Sequence, residues 1–270
     1  MRATNIARPR LLNQLNQAVS SDGTIHPKLT LITAPAGYGK STLTTQWVSQ
    51  LNRSVAWLSL DAGDNDEARF LAYLFAALAT VHEEVGEAAQ ARLTTTYLYN
   101  DTEAILTALL NDLAAGSETV VIVLDDYHLI TDSAIHQAMT FILQHMPVQL
   151  HLVIAGRAEP PLPIALLRAQ GTLNWVNARD LRFTNEEAAL FLSQTMGVTL
   201  SDSQIARLDE QVEGWVTGLQ LVGLALQEQV AFLGHGALQA AFSGSQRYLV
   251  DYLADQVLSC QPADIQEFLL

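Results

Sequence analysis

The constraint that dominates this chain is the run from Lys28 to Leu43, KLTLITAPAGYGKSTL. Leu29–Thr33 is short, apolar and β-branched, the composition of a buried strand. It gives way to a small-residue loop, Ala34-Pro35-Ala36-Gly37-Tyr38-Gly39, and Lys40-Ser41-Thr42 then opens a helix. Glycines let consecutive backbone N–H groups turn toward one anion, and the helix adds the positive end of its dipole. A lysine at position 40 reaches β- and γ-phosphates, and a hydroxyl at Ser41 suits Mg²⁺. The strict pattern has Gly where Ala34 stands, one residue short of a full match. Strand, loop, GKS and helix nevertheless arrive in the order that phosphate binding requires. A nucleotide site is expected here, with Pro35, Ala36, Gly37, Tyr38, Gly39, Lys40, Ser41 and Thr42 touching the nucleotide.

A chain of 270 residues is expected to hold one large domain and a smaller one. Its hydrophobic content of 49% and mean hydropathy of +0.17 fit a well-packed globule, and no apolar run approaches the ~18 residues that span a bilayer. The N-terminal residues lack an apolar signal core, and a single cysteine, Cys260, excludes an internal disulfide framework; a cytoplasmic protein without membrane contact is expected. The net charge of −14 repels phosphate backbones, so this stretch is a poor nucleic-acid binder by itself. A local anion site must then be built from few cations, Lys40, Arg157 and Arg168 among them.

Along the chain, an amphipathic helix with Leu11, Leu12 and Leu15 precedes the first strand, and a second strand follows at Val55–Leu60. The acidic turn Asp61–Asp66 caps a helix running from Glu67 to about Val81. Further helical stretches cover Glu84–Leu93 and Thr102–Ala114. Thr119–Leu124 is a continuous apolar run of the kind buried on both faces of a sheet. A helix from Asp132 to His145, a strand at Leu150–Ala155 and a strand at Leu173–Val176 complete an alternation that predicts a parallel sheet flanked by helices. After about Asn177 the strand signals stop. Thr184-Asn185-Glu186-Glu187 has the form of a capping box, Ser201 caps another helix, and Glu213–Gln229 reads as a third. The expected class is therefore α/β with an all-helical domain behind it. The chain stops inside an apolar helical stretch, Phe268-Leu269-Leu270, which predicts further sequence beyond it.

The third strand ends at Asp125-Asp126, where an open parallel sheet presents its ligand edge. An apolar strand closed by a carboxylate is what serves the Mg²⁺ shell in a P-loop fold. Asp125 is assigned to the metal through water, with Ser41, and Asp126 to orienting or deprotonating the attacking water. Arg157 ends the next strand on the same edge, where a guanidinium can sense a γ-phosphate. The histidines show no metal-ligand spacing, although His128 lies next to the acidic pair. The four tryptophans read as core or interface residues.

These motifs together resemble the nucleotide-binding module of MalT-like regulators, LuxR-type transcription activators of the STAND class within the AAA+/STAND-like P-loop NTPases. Ile6-Ala7-Arg8-Pro9-Arg10 is similar to the family's leading segment, and the resemblance implies that Arg8 lies near the adenine. Ala in place of the first Gly of the phosphate loop is usual in that family. Trp57–Asp66, Leu124–Ile130 and Asp180–Thr184 resemble further family segments, and Arg157 matches the γ-phosphate-sensing arginine. Gly214-Trp215-Val216-Thr217-Gly218-Leu219-Gln220-Leu221 resembles the helical-domain motif that closes over the nucleotide. It implies a nucleotide contact from Gln220, where wider relatives carry proline. The resemblance sets a P-loop domain at 1–178, a helical domain at 179–244 and the start of a winged-helix domain at 245–270.

What it implies is a switch. ADP holds a closed, inactive arrangement; ATP with Mg²⁺ favours an open one that self-associates; slow hydrolysis resets it. DNA binding and inducer recognition belong to domains beyond this chain. The competing readings are a fast motor or clamp-loader-type ATPase with a trans-acting arginine (Arg69 or Arg92), a small-molecule kinase, and a scaffold that holds ADP without cycling.

Overall fold

The computed structural model describes residues 6–19, 27–96, 102–116 and 118–233. The expected start of a winged helix at 245–270 lies outside them. The described residues form two compact units. The larger comprises Pro9–Ala34 and Lys40–Asn177; the smaller gathers 6–8, Pro35–Gly39 and 178–233.

The larger unit is a five-stranded parallel sheet: β1 (Leu29–Thr33), β2 (Ser54–Ser59), β3 (Val120–Asp125), β4 (Leu150–Gly156) and β5 (Leu173–Val176). The order is β2-β3-β4-β1-β5, with every pairing parallel. β1, β3 and β4 are buried along their whole lengths, which is why their sequences are unbroken apolar runs with no alternation.

Two helical layers cover the faces. Leu29, Leu31, Ile122, Leu124, Leu152 and Ile154 point into one core with α3 (Glu67–Ala79), α4 (Glu83–Thr96), α5 (Thr102–Ala115), α6 (Ser133–His145) and α7 (Ile164–Ala169). Against the sheet also lie α1 (Pro9–Val19), beside β5, and α2 (Lys40–Val48), beside β4. These bury Leu11, Leu15, Leu43 and Trp47. The helix starts are set locally. Asp66 and Asp132 cap α3 and α6 with their carboxylates, and Asp61 and Asp64 form a reciprocal capping box in the turn between β2 and α3. Asn65 braces that turn from within. It donates to the Leu129 carbonyl at 2.7 Å and accepts from the Thr131 and Asp132 amides.

A polar chain runs from α1 across β5 and β1 to β4. Gln14 donates to Asn174, Asn174 donates to the Thr30 hydroxyl, and Thr30 meets His151 Nε2 at 2.9 Å. His151 Nδ1 lies 2.9 Å from the Pro27 carbonyl. Since a carbonyl only accepts, Nδ1 carries the proton, and Nε2 accepts from Thr30. Burial pushes the His151 ring down to about 4, further lowered by the Arg53 charge and opposed by the bond to Pro27.

The smaller unit is helical: α8 (Ala178–Leu181), α9 (Asn185–Leu190), α10 (Asp202–Val212) and α11 (Val216–Leu233). Thr184 and Glu187 form the expected capping box at α9, and Ser201 begins α10. Past α9 the chain makes a single π-helical turn at Phe191–Thr195, a wide turn the sequence does not announce. The expected third helix at 213–229 is corrected to Val216–Leu233. Glu213 takes a left-handed conformation (φ 47°), which ends α10 and leaves Gly214 and Trp215 outside either helix. Phe183, Leu192, Met196, Leu208, Leu219 and Leu226 make up the core of this unit.

Candidate functional site

The strand order explains why three separate segments meet. β3, β4 and β1 are neighbours and run parallel, so Asp125, Arg157 (after Gly156) and the loop leaving Thr33 all emerge at one edge. The Ala34 amide donates to the Gly156 carbonyl at 3.2 Å, fastening the start of the loop to the end of β4.

Within the larger unit, Lys40 is buried, 8% exposed, and its Nζ donates to the Ala34 carbonyl at 2.8 Å. Burial lowers its pKa; Asp126 opposes this, Arg157 adds to it, and Asp125 opposes it again. Asp125, Asp126 and Arg157 are thus all close enough to act on Lys40, in a chain of net charge −14. Asp125 is buried and accepts the Asp126 amide at 3.0 Å. Asp126 is held in the left-handed region at φ 57°, with its carboxylate about half exposed. A non-glycine residue in that conformation stores backbone strain, of the kind that collects where a side chain must be aimed. Arg157 is exposed at the same edge.

His128 belongs to this cluster, although its sequence position next to the acidic pair was the one hint of it. Its Nδ1 lies 3.7 Å from Asp126 Oδ1, buried and without a hydrogen bond among the described residues. Burial lowers its pKa and Arg157 adds to this, while Asp126 resists, so the surroundings favour the neutral ring.

The remaining loop residues, Pro35–Gly39, cluster with the helical unit. Gly37 and Gly39 have φ of 76° and 78°, open to glycine and costly for other residues. In the same unit the Gly37 carbonyl accepts from the Thr217 amide (3.2 Å) and hydroxyl (3.0 Å), and the Ala36 carbonyl accepts from the Trp215 indole (3.2 Å). These partners are about 180 residues apart in the chain, and the sequence reading placed Trp215 only in a core or interface. No local signal marks them beyond their membership in the Gly214–Leu221 motif.

Arg8 lies in the helical unit, 5% exposed. Its guanidinium donates to Glu187 at 3.0 Å and to the Arg182 carbonyl at 2.8 Å, and stacks 4.5 Å above the Phe183 ring. Gln220 is exposed on α11. The alternative trans-acting arginines are engaged with carboxylates, Arg69 with Asp64 and Arg92 with Asp112.

Ser41 and Asp125 supply a hydroxyl and a carboxylate, hard oxygen donors of the type Mg²⁺ prefers. Mg²⁺ sites of this kind take only one or two protein groups beside phosphate and water. No cluster of three or more His, Cys, Asp or Glu able to hold a metal occurs among the described residues. No helix among them is long and apolar enough to cross a membrane.

The chain as a whole has relatives among known proteins. The chain is 37% identical over 268 residues to the HTH-type transcriptional regulator MalT of Yersinia enterocolitica, and 36% identical over 268 residues to MalT of Klebsiella pneumoniae. Each match covers 98% of this chain and 28% of the relative, so the chain spans little more than a quarter of the length of these homologues. A RuvB variant of Thermotoga maritima is similar in structure, with a TM-score of 0.47 at 14% identity, over 90% of this chain and 70% of that one. The family model of the AAA ATPase domain matches residues 6–155. With more than half of its length inside that match, and a five-stranded parallel sheet carrying a phosphate loop, this chain belongs to the AAA ATPase domain family.

Proposed function

We propose that this chain is the nucleotide-controlled switch module of a MalT-like transcription activator. It binds ATP or ADP with Mg²⁺ and hydrolyses ATP slowly. The observation that carries the reading is the convergence of Lys40, Asp125, Asp126 and Arg157 at the sheet edge that also launches the phosphate loop. In this reading Pro35 to Thr42 hold the phosphates, and Lys40 exchanges its bond to the Ala34 carbonyl for the β- and γ-phosphates. Ser41 and Asp125 hold Mg²⁺, whose charge neutralises the phosphate oxygens. Asp126 orients the attacking water and accepts its proton, and Arg157 contacts the γ-phosphate. Arg8 and Gln220 lie toward the base.

A ligand shifts a conformational equilibrium only by its different affinity for the two states. The γ-phosphate contacts of Lys40, Arg157 and Mg²⁺ supply that difference. The ADP form is the closed, inactive one and the ATP form self-associates. The domain plan (1–178, 179–244, 245–270), the cytoplasmic setting, and DNA and inducer binding through domains beyond this chain belong to the same proposal. Similarity to MalT over 98% of the chain supports it.

The test is to denature the purified protein, identify the released nucleotide by chromatography, and measure turnover with Mg-ATP. Stoichiometric ADP with very slow turnover, and a larger assembly in ATP than in ADP, supports the switch. An empty site with rapid turnover would mean a motor-type ATPase instead.

A further inference from the structure

We propose that Trp215 and Thr217 are positioning residues for phosphate binding, acting on the loop and not on the nucleotide. This rests on the nucleotide reading given above. All the contacts involved lie within the smaller unit.

The argument starts from the peptide group. It is planar and trans, so the carbonyl of one residue and the amide N–H of the next point in opposite directions. Gripping a carbonyl therefore aims the following N–H. Trp215 Nε1 holds the Ala36 carbonyl, which turns the Gly37 N–H to the opposite side. The Thr217 amide and hydroxyl hold the Gly37 carbonyl, which turns the Tyr38 N–H the same way. Two successive amides facing away from Trp215 and Thr217 form the anion-binding half of a phosphate cradle.

The helix gains as well. Thr217 sits in the first turn of α11, where backbone N–H groups have no partner within the helix, and the loop carbonyl supplies one. The approach is close. A Cβ placed on Gly37 would lie 2.5 Å from Thr217 Oγ1 and 2.8 Å from Trp215 Nε1. At Gly39 the nearest neighbour of such a Cβ is Val216, at 3.6 Å. The tripeptide 215–217 is therefore fitted to the loop backbone, and Gly37 is required by that fit as much as by its φ.

The test compares ADP affinity, measured by calorimetry on nucleotide-stripped protein, for the unaltered chain, Thr217→Val, Thr217→Ser, Trp215→Phe and Lys40→Ala. Thr217→Val keeps the size and removes the hydroxyl donor, leaving only the backbone amide on the Gly37 carbonyl. The expected result is an affinity loss of about five- to tenfold for Thr217→Val and for Trp215→Phe, the worth of one hydrogen bond. Thr217→Ser stays within about twofold. The nucleotide-free melting midpoints fall by no more than about 2–4 °C, the shift that one hydrogen bond makes in a chain of this size. If Thr217→Val does not fold, Trp215→Phe carries the same comparison. Unchanged ADP affinity in both variants, with Lys40→Ala losing roughly thirtyfold or more, overturns this proposal and leaves the nucleotide reading standing. So does an affinity loss that merely follows a larger fall in the melting midpoint. A Lys40→Ala protein that binds ADP as well as the parent overturns both.

Discussion

The buried ring of His151 predicts that the larger unit loses stability in mild acid before its carboxylates titrate. In the folded chain the ring is neutral, with Nδ1–H donating to Pro27 and Nε2 accepting from Thr30. Adding a proton to Nε2 removes that acceptor and sets a charge in a site 4% exposed. The folded pKa is about 4; in the unfolded chain it is about 6.5. Between these values the unfolded state binds more protons, so stability falls as pH falls. The contribution is complete above pH ~6.5 and spent below about 4, amounting to about 3 kcal/mol. By pH ~4.5 about 2.5 kcal/mol of it is gone. Urea denaturation at pH 7.5 and 4.5, for the parent chain and for His151→Gln, isolates the effect because glutamine does not titrate. The parent should lose about 2.5 kcal/mol more than the variant. An NMR titration of the ring gives the folded value directly. Parallel losses in the two proteins, or a ring titrating near its ordinary value, would refute the reasoning.

Other consequences can be measured in the same protein. Asp126→Asn should abolish ATP turnover and leave ADP affinity within about twofold, because asparagine tolerates the left-handed backbone; retained turnover, measured by phosphate release, would remove Asp126 from the chemistry. Gly37→Ala should destabilise more than Gly171→Ala. Both positions have positive φ, which costs roughly 1–2 kcal/mol for alanine, but only at Gly37 does the new methyl meet a neighbour, as thermal unfolding should show. Arg8→Ala strands Glu187 in a buried site and should cost the helical unit roughly 3 kcal/mol. Arg8→Met combined with Glu187→Gln should recover much of that in the same denaturation assay. Equal losses for the single and double variants would mean that the charge pairing contributes little.

The parts of this molecule that could be read in advance are those whose signals are local. The β3 run could be recognised because a strand buried on both faces has no polar alternation. The Thr184 capping box could be recognised because its partners are three residues apart. Lys40, Asp125 and Arg157 followed from their places at strand ends, since parallel strands bring those ends to one edge. What stayed hidden depends on distant partners or on a single dihedral angle. Trp215 and Ala36 meet across 179 residues. The left-handed turns at Asp126 and Glu213 each rest on a single dihedral angle, at an aspartate that adopts it only in some contexts and at a glutamate that usually avoids it. The His151–Thr30 pair looks in sequence like two stray polar residues in apolar strands. Each has a partner only once the strand order is known.

The position of β1 also bears on how the chain is made. It carries the phosphate loop, yet its two sheet neighbours are β4 and β5, so Leu29 pairs with Leu152 and Leu173. On a ribosome, at a synthesis rate of ~5–20 residues per second, Leu29–Thr33 waits on the order of ten seconds for its first neighbour. During that time β2 and β3, adjacent in the sheet, can pair without it. A strand that ends up buried along its whole length is thus the one that waits longest for a neighbour, and a chain released before Val176 would expose it on one side.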